Sequence, residues 1–336
     1  MKKAAFIFPG QGSQHVGMGK ELYNTFQEAR DVFDEIDDAL SEKLSEIIFN
    51  GDPKTLNLTI NAQPAIMATS LAVMRVILKQ LNLGPFDVSK ICPIAAGHSL
   101  GEYSALCAGN VMSISDCARL LRIRGQLMQN AADESGGGGM LVLLGADVQK
   151  AEKIALSAVL QTNGGTKSVC SVANDNGAGQ VVLSGHTRAL NKAMEIAKEY
   201  KVKKAILLPV SGPFHSSLMK SAAISLRPYI ETLEMAKPTI PVLSNYTATT
   251  HPQDPILITE LLIDQVIGMV RWREIMEMLL EQYDTVVEVG PGQVLGGLAG
   301  RMLGELGLNR DIISVSTPEE VEVLLKNLSS KWMLSA

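Results

Sequence analysis

The sequence predicts an α/β protein built on a buried parallel sheet, with a smaller β-α-β-β-α-β unit set into it. Three observations lead there. Short, largely apolar runs such as Lys3 to Phe8, Ile91 to Ala96 and Thr285 to Val289 alternate with longer helix-compatible stretches, the pattern of strands buried on both faces. The core stock is aliphatic: 46% of residues are hydrophobic but only 4% aromatic, which leaves Ala, Val, Ile, Leu and Met to fill the interior. After the glycine run Gly136 to Gly139 the rhythm changes to closely spaced short elements, and it changes back near Pro209.

Lys3 to Phe8 reads as a strand stopped by Pro9-Gly10, followed by the glycine-rich loop Gln11-Gly12-Ser13-Gln14. That loop lacks the Gly-Lys-Ser/Thr ending of a phosphate loop and the spacing of a dinucleotide fingerprint, so it is better suited to supply backbone N–H groups at the strand ends. Glu21 to Phe49 is helical in pattern, with acidic residues on the polar face. Thr59 to Asn82 is a second helical stretch, entered through Asn61-Ala62-Gln63-Pro64 and stopped by Gly84-Pro85. On spacing alone Gln63 is a capping or loop glutamine ahead of a first-turn proline. Ile91 to Ala96 leads through Gly97-His98-Ser99-Leu100-Gly101 into a helix from Glu102 to Ala108. Ser115 to Ala131 is a strong helix, with Ser115 as its cap and Asp116 in its first turn. Its middle carries Arg119, Arg122 and Arg124, and Arg124 shares a face with Met128 one turn on. Most helices would turn such arginines to solvent.

Beyond the glycine run, Met140 to Leu144 reads as a strand and Val148 to Leu160 as a helix. Ser168 to Ala173 and Gln180 to Ser184 are strands joined by Asn174-Asp175-Asn176-Gly177. Thr187 to Tyr200 is a helix and Lys204 to Leu208 a strand. This order is the split-βαβ or ferredoxin-like motif. Residues 134–208 therefore form a predicted small subdomain, inserted into a larger domain made of 1–133 and 209–336. Within the latter, Pro241 to Ser244, Thr285 to Val289 and Asp311 to Val315 read as strands. Ile258 to Ile267, Trp272 to Gln282, Val294 to Leu306 and Glu319 to Leu328 read as helices.

Bulk properties narrow the function. A formal net charge of −5 without a long basic block argues against a nucleic-acid partner. No run approaches the roughly 18 apolar residues of a membrane span. The apolar segment behind Met1-Lys2-Lys3 stops at Pro9, too soon for a signal peptide. Cys92, Cys107, Cys117 and Cys170 show no C-x-x-C spacing, and three lie in segments that read as buried, which points to reduced thiols in a cytoplasmic protein. His15, His98, His186, His215 and His251 include no pair at metal-ligand spacing, so no metal is expected.

The strongest local signal is Gly97 to Gly101. A serine with glycines two before and two after, set between a strand and a helix, is the nucleophile-elbow pattern, although a chain with 29 glycines can produce it by chance. A nucleophilic Ser99 needs a base, usually histidine. His98 should point away from its neighbour, His15 has nothing to orient it, and His186 and His251 fall in a helix start and a polar turn. His215 follows an apolar strand in a proline-shaped loop, at the same kind of strand end as Ser99, and ranks first. No acidic third member announces itself, which weakens an ordinary hydrolase triad.

With these residues assembled, the chain resembles the malonyl-CoA:acyl carrier protein transacylases of bacterial fatty acid synthesis along its whole length. The matching motifs are Phe8 to Gln14, Gln63-Pro64-Ala65, Gly97 to Tyr103, Arg122 to Gly125 with Met128, Ser211 to His215, Asp264-Gln265 and Glu288 to Gly292. The resemblance implies an α/β-hydrolase-like large domain with the ferredoxin-like unit inserted and the site in the cleft between them. It implies Ser99 as nucleophile, His215 as base and acid, and the backbone carbonyl of Gln265, rather than a carboxylate, orienting the histidine. The backbone N–H groups of Gln11 and Leu100 would form the oxyanion hole, and Arg124 would bind the malonyl carboxylate. Gln63, Met128, Phe214, Asn174 and Asn176 would line the substrate site, Phe214 limiting room for an α-branch. Malonyl-CoA is then the substrate, acyl carrier protein the partner, no cofactor is needed and a monomer is expected. Lys201, Lys203 and Lys204, or Arg271 and Arg273, are candidate docking groups for an acidic carrier. A serine esterase, a transferase serving a polyketide carrier and a non-catalytic scaffold are the competing readings.

Overall fold

Every residue of the first strand, β1 (Ala4–Phe8), is buried, and its alternation sets the plan of the large unit. Phe6 and Phe8 point into one apolar core while Ala5 and Ile7 point into another, as a central parallel strand with a covered sheet on both sides requires. The computed structural model describes residues 4–162 and 168–331. Lys3, expected to open the first strand, lies outside them.

In place of one helical stretch after β1 come α1 (Lys20–Thr25), α2 (Gln27–Leu40), α3 (Leu44–Asn50) and α4 (Pro53–Asn57). The breaks fall at Phe26, which is extended, and at Ser41, which is left-handed with φ 52°. Helix α5 (Thr59–Gln80) begins at the predicted Thr59, ahead of the Asn61-Ala62-Gln63-Pro64 entry, and Asn61 and Ala62 already donate to the carbonyl of Leu58. Pro64 therefore sits in the second turn, and Gln63 lies inside the helix, not in a cap. By length and composition α5 could cross a membrane, but it is buried within the protein along almost its whole length.

A short 3₁₀ turn (Val88–Lys90) ends before Ile91, residues 91–94 stay irregular, and β2 is only Ala95–Gly97. Helices α6 (Leu100–Ala108) and α7 (Ile114–Glu134) follow. The cap of α7 is Ser113, not Ser115: Ser113 Oγ accepts the N–H of Asp116, whereas Ser115 is turned to the carboxylate of Glu35.

Next come β3 (Gly138–Leu144), α8 (Val148–Thr162), β4 (Cys170–Asp175), β5 (Gln180–His186), α9 (Thr187–Glu199) and β6 (Lys204–Leu207). The four strands make an antiparallel sheet in the order β4-β5-β3-β6. Leu141, Leu143 and Leu183 face the core that α8 and α9 close. Met140, Val142 and Val182 face the main core of the large unit, so this sheet is packed between its own helices and the rest of the protein.

The chain continues through α10 (Lys220–Glu231), β7 (Val242–Leu243), α11 (Pro255–Ile267), α12 (Trp272–Gln282), β8 (Thr285–Val289), α13 (Val294–Leu306), β9 (Asp311–Val315) and α14 (Pro318–Lys331). Five strands form a wholly parallel sheet in the order β7-β2-β1-β8-β9. Because β7, β2 and β1 are neighbours, the segments leaving their C-terminal ends converge. That edge of a parallel sheet is where ligands bind in open α/β folds.

Candidate active site

Ser99 leaves the end of β2 with φ 53° and ψ −110°, a conformation held only because the surroundings insist on it. A Cβ on Gly97 would lie 1.9 Å from the backbone of Gly101, and one on Gly101 would lie 2.2 Å from the carbonyl oxygen of Phe8. Both positions therefore need glycine. The amide of Asn245, just beyond β7, closes the turn from outside. Its Oδ1 accepts the N–H of Ser99 at 2.7 Å and its Nδ2 donates to the carbonyl of Gly97 at 2.7 Å. With the Ser99 N–H engaged, Leu100 supplies the next amide in the open first turn of α6. Among the described residues, no backbone carbonyl takes the N–H of Leu100 or of Gln11. The Gln11 side chain reaches Thr59 Oγ1 at 3.3 Å, which fixes the loop after β1 beside the elbow.

His215 is buried with φ 55°, and its Nε2 stands 2.8 Å from Ser99 Oγ. Its Nδ1 stands 2.8 Å from the backbone carbonyl of Gln265. A carbonyl can only accept, so Nδ1 carries the proton and Nε2 is the bare nitrogen that accepts from the serine hydroxyl. Burial and the nearby Arg124 charge push the imidazole down to about 3, which keeps it neutral and able to act as a base. Among the described residues, no carboxylate stands behind this histidine.

Arg124 is only 1% exposed, on the face of α7 turned toward α5. The two helices approach closely because residue 125 is glycine: a Cβ there would lie 2.7 Å from the carbonyl of Thr59. The guanidinium donates through Nη1 to Gln63 Oε1 at 2.7 Å, and through Nη2 to Gln265 Oε1 at 3.0 Å and Ser99 Oγ at 3.2 Å. It lies over the Tyr103 ring, 5.2 Å from the centroid. Burial lowers its pKa, but an arginine stays charged. Among the described residues no carboxylate pairs with it directly, and its buried Nε has no partner. A buried cation held by neutral amides beside a serine hydroxyl has the chemistry to receive a small anion. Met128 is buried one turn on, its sulfur 3.7 Å from Gln63 Nε2, and Phe214 is buried just before His215.

The chain matches the family model described as acyl transferase domain over residues 5–301. This chain belongs to the acyl transferase family. It is 41% identical over 333 residues to the malonyl CoA-acyl carrier protein transacylase of Bacillus subtilis, covering 98% of this chain and 99% of that one. Among solved structures, it is 47% identical to the acyl-carrier-protein-S-malonyltransferase of Bartonella henselae, with a TM-score of 0.89 and coverage of 97% and 99%. A malonyl-transacylase in complex with a type II PKS acyl-carrier protein gives a TM-score of 0.88 at 33% identity, covering 97% and 99%.

In this acyltransferase the remaining sequence-predicted residues lie at varying distance from Ser99. Asn176 is buried with its Oδ1 2.9 Å from His98 Nε2, so the imidazole of His98 turns away from Ser99 toward the second sheet. The same ring meets Trp272 edge-on at 5.4 Å. Asn174 is buried inside β4, not in the turn, and its backbone bridges to Val270. The two candidate docking arginines are already engaged: Arg271 pairs with Glu274, and Arg273 with Asp175 and Glu277. Lys201, Lys203 and Lys204 pair with no carboxylate among the described residues. Sequence reasoning missed Asn245, whose partners lie some 146 residues away, and the buried pair Glu102–His251 at 2.6 Å. His251 looked like a turn histidine, and only the tertiary fold buries it.

Proposed function

We propose that this acyltransferase moves a malonyl group from malonyl-CoA to the phosphopantetheine thiol of an acyl carrier protein, through a malonyl ester on Ser99. The observation that carries this reading is Arg124, a buried guanidinium 3.2 Å from the serine oxygen with no carboxylate of its own. A donor acyl group with a free terminal carboxylate supplies the missing partner, and an acetyl group does not. The names of the relatives at 36–41% identity agree with this choice.

The geometry supports the following steps. His215 Nε2 takes the hydroxyl proton as Ser99 Oγ attacks the thioester carbon. The oxygen of the tetrahedral intermediate is received by the N–H groups of Gln11 and Leu100. The C–S bond breaks and the CoA sulfur leaves with the proton from His215. The carrier thiol then gives its proton to His215 and attacks the serine ester, and Ser99 leaves with that proton. Gln63 and Met128 set the position of Arg124, and Phe214, Asn174 and Asn176 form the walls toward the acyl branch and the thioester arm. The reaction balances in protons and electrons without a cofactor. A monomer in the cytoplasm is the simplest working form, and residues 134–208 are proposed as the inserted subdomain that forms one side of the cleft.

Intact-mass spectrometry of the protein mixed with malonyl-CoA tests the proposal. A malonyl adduct that is absent in Ser99→Ala and transfers to holo acyl carrier protein is expected. Free malonate released without an adduct would identify a thioesterase instead. The neighbour bound to a type II PKS carrier motivates a second reading in which the carrier serves polyketide synthesis. Transfer rates to the two carrier types decide between them.

A further inference from the structure

Glu102 stands on the first turn of α6, three residues beyond the nucleophile, with its side chain wholly buried behind the elbow. The proposed chemistry makes no use of it. A buried carboxylate is costly unless its lone pairs are met, and three donors meet this one. Oε1 faces His251 Nε2 at 2.6 Å, while Oε2 accepts from the backbone N–H of Asn245 at 2.9 Å and from Gln265 Nε2 at 2.8 Å. Two of these donors belong to residues that shape the active site.

The Gln265 amide has two orientations, and Glu102 selects between them. In the one observed, Nε2 donates to Glu102 and to the backbone carbonyl of Ser99 at 2.9 Å, while Oε1 accepts from Arg124 Nη2 at 3.0 Å. Rotating the amide by half a turn would set its NH₂ against the guanidinium and its oxygen against a carboxylate. Both contacts would be repulsive. On the other side His251 Nε2 donates to the Glu102 carboxylate, and His251 Nδ1 has no hydrogen-bond partner among the described residues. Meanwhile the backbone carbonyl of the same Gln265 holds His215. One residue thus serves the base through its main chain and the anion receptor through its side chain.

We infer that Glu102 is a positioning residue for acyl-group selection: by locking the Gln265 amide, it holds the Arg124 guanidinium beside Ser99. This inference rests on the malonyl-transfer proposal above. Single-turnover acylation of Ser99 by malonyl-CoA and by acetyl-CoA, read by mass spectrometry, gives the ratio that tests it.

In Glu102→Leu the malonyl-to-acetyl ratio should fall by about tenfold or more, the worth of one misplaced charged hydrogen bond. Glu102→Gln should recover part of the loss, because its carbonyl can take the Asn245 and Gln265 donors while its NH₂ faces a His251 that moves its proton to Nδ1. An amide accepts more weakly than a carboxylate, so a residual fall of about threefold is expected. Gln265→Ala keeps the carbonyl that orients His215 and should lower the same ratio. Combining it with Glu102→Leu should lower the ratio no further.

A ratio unchanged in Glu102→Leu, with both donors slowed alike, reduces Glu102 to a structural role and overturns the inference, as does additivity in the double variant. Should the leucine variant fail to fold, an unchanged ratio in Glu102→Gln has the same force. If the wild-type protein itself shows no preference for malonyl-CoA, the functional proposal fails with it. A preference that is present in wild type and untouched in the variants sinks this inference alone.

Discussion

Replacing Arg124 by alanine isolates the proposed anion receptor from the rest of the site. The side chain is buried, and the fork that faces Ser99 Oγ at 3.2 Å is the nearest cationic group to the reacting oxygen. One charged hydrogen bond to a substrate carboxylate is worth about 1.5–3 kcal/mol, so malonyl acylation should slow by about 10- to 150-fold in Arg124→Ala. Acetyl-CoA has no such carboxylate, and its acylation rate should change little, because Ser99, His215 and the backbone donors remain. The variant should also lose stability. The carbonyl oxygens of Gln63 and Gln265, which now accept from the guanidinium at 2.7 and 3.0 Å, are left buried without a donor. Each such loss costs roughly 1–3 kcal/mol, so the melting temperature must be compared before rates are. Stopped-flow or quenched single-turnover acylation with both donors, at a temperature where both proteins are folded, supplies the comparison. Equal losses with malonyl-CoA and acetyl-CoA would refute the carboxylate role and leave Arg124 as a support for the elbow.

Gly97→Ala places a methyl group 1.9 Å from the Gly101 backbone, so the elbow cannot close as it stands. A stability loss of at least about 3 kcal/mol is expected by chemical denaturation, and a near-wild-type midpoint would show that the turn has another way to form. Asn245→Leu leaves the Ser99 N–H and the Gly97 carbonyl buried and unpaired, at a cost of roughly 2–6 kcal/mol for the two groups together. It should slow acylation by malonyl and acetyl donors alike, and a change confined to one donor would contradict the bracing role. The depressed His215 sets the pH dependence. The base is neutral above its folded pKa of about 3, so the acid limb of kcat/KM should lie well below the ordinary imidazole value near 6.5. Removing the Arg124 charge lets that pKa rise, and the acid limb with acetyl-CoA should move up in pH. An unmoved limb would mean that burial alone sets it. By linkage, the unfolded chain binds the extra proton below about 6.5, so this group lowers stability as pH falls through that window.

Local signals carried most of the fold. Trp272–Gln282, Thr285–Val289, Val294–Leu306 and Asp311–Val315 stand where their apolar periodicity put them, since each packs its patterned face on the nearest layer. The helical run after β1 was not divisible from its pattern, because its breaks depend on single backbone angles at Phe26 and Ser41. The cap of α7 was misplaced by two residues, because Ser113 and Ser115 are equivalent until the carboxylate of Glu35 arrives from another helix. In the site, Ser99 and its glycines were legible because the turn is local. His215 ranked first as a residue at the same kind of strand end as Ser99, but the strand before it, β6, ends at Leu207 in the antiparallel sheet, and it is the intervening loop that carries the histidine to the serine. Asn245 follows a two-residue strand and has no local mark, and Glu102 looks like any acidic residue in a first helical turn. Their roles come from strand ends that meet only when the sheet is assembled.

The carbonyl behind His215 bears on which bonds such a site can break. A carboxylate in that place would steady the imidazolium and let it hold a proton long enough to deliver it to a poor leaving group. A neutral carbonyl steadies it less, and burial together with the Arg124 charge further disfavours the protonated ring. That suits sulfur. A thiol with a pKa near 8.5 departs with little protonic help, whereas an amide nitrogen needs a full proton before it goes. The arrangement therefore favours exchange between two thiols of similar basicity, with a seryl ester between them and the same proton handed back in each direction. Hydrolysis of amides would need a different third member.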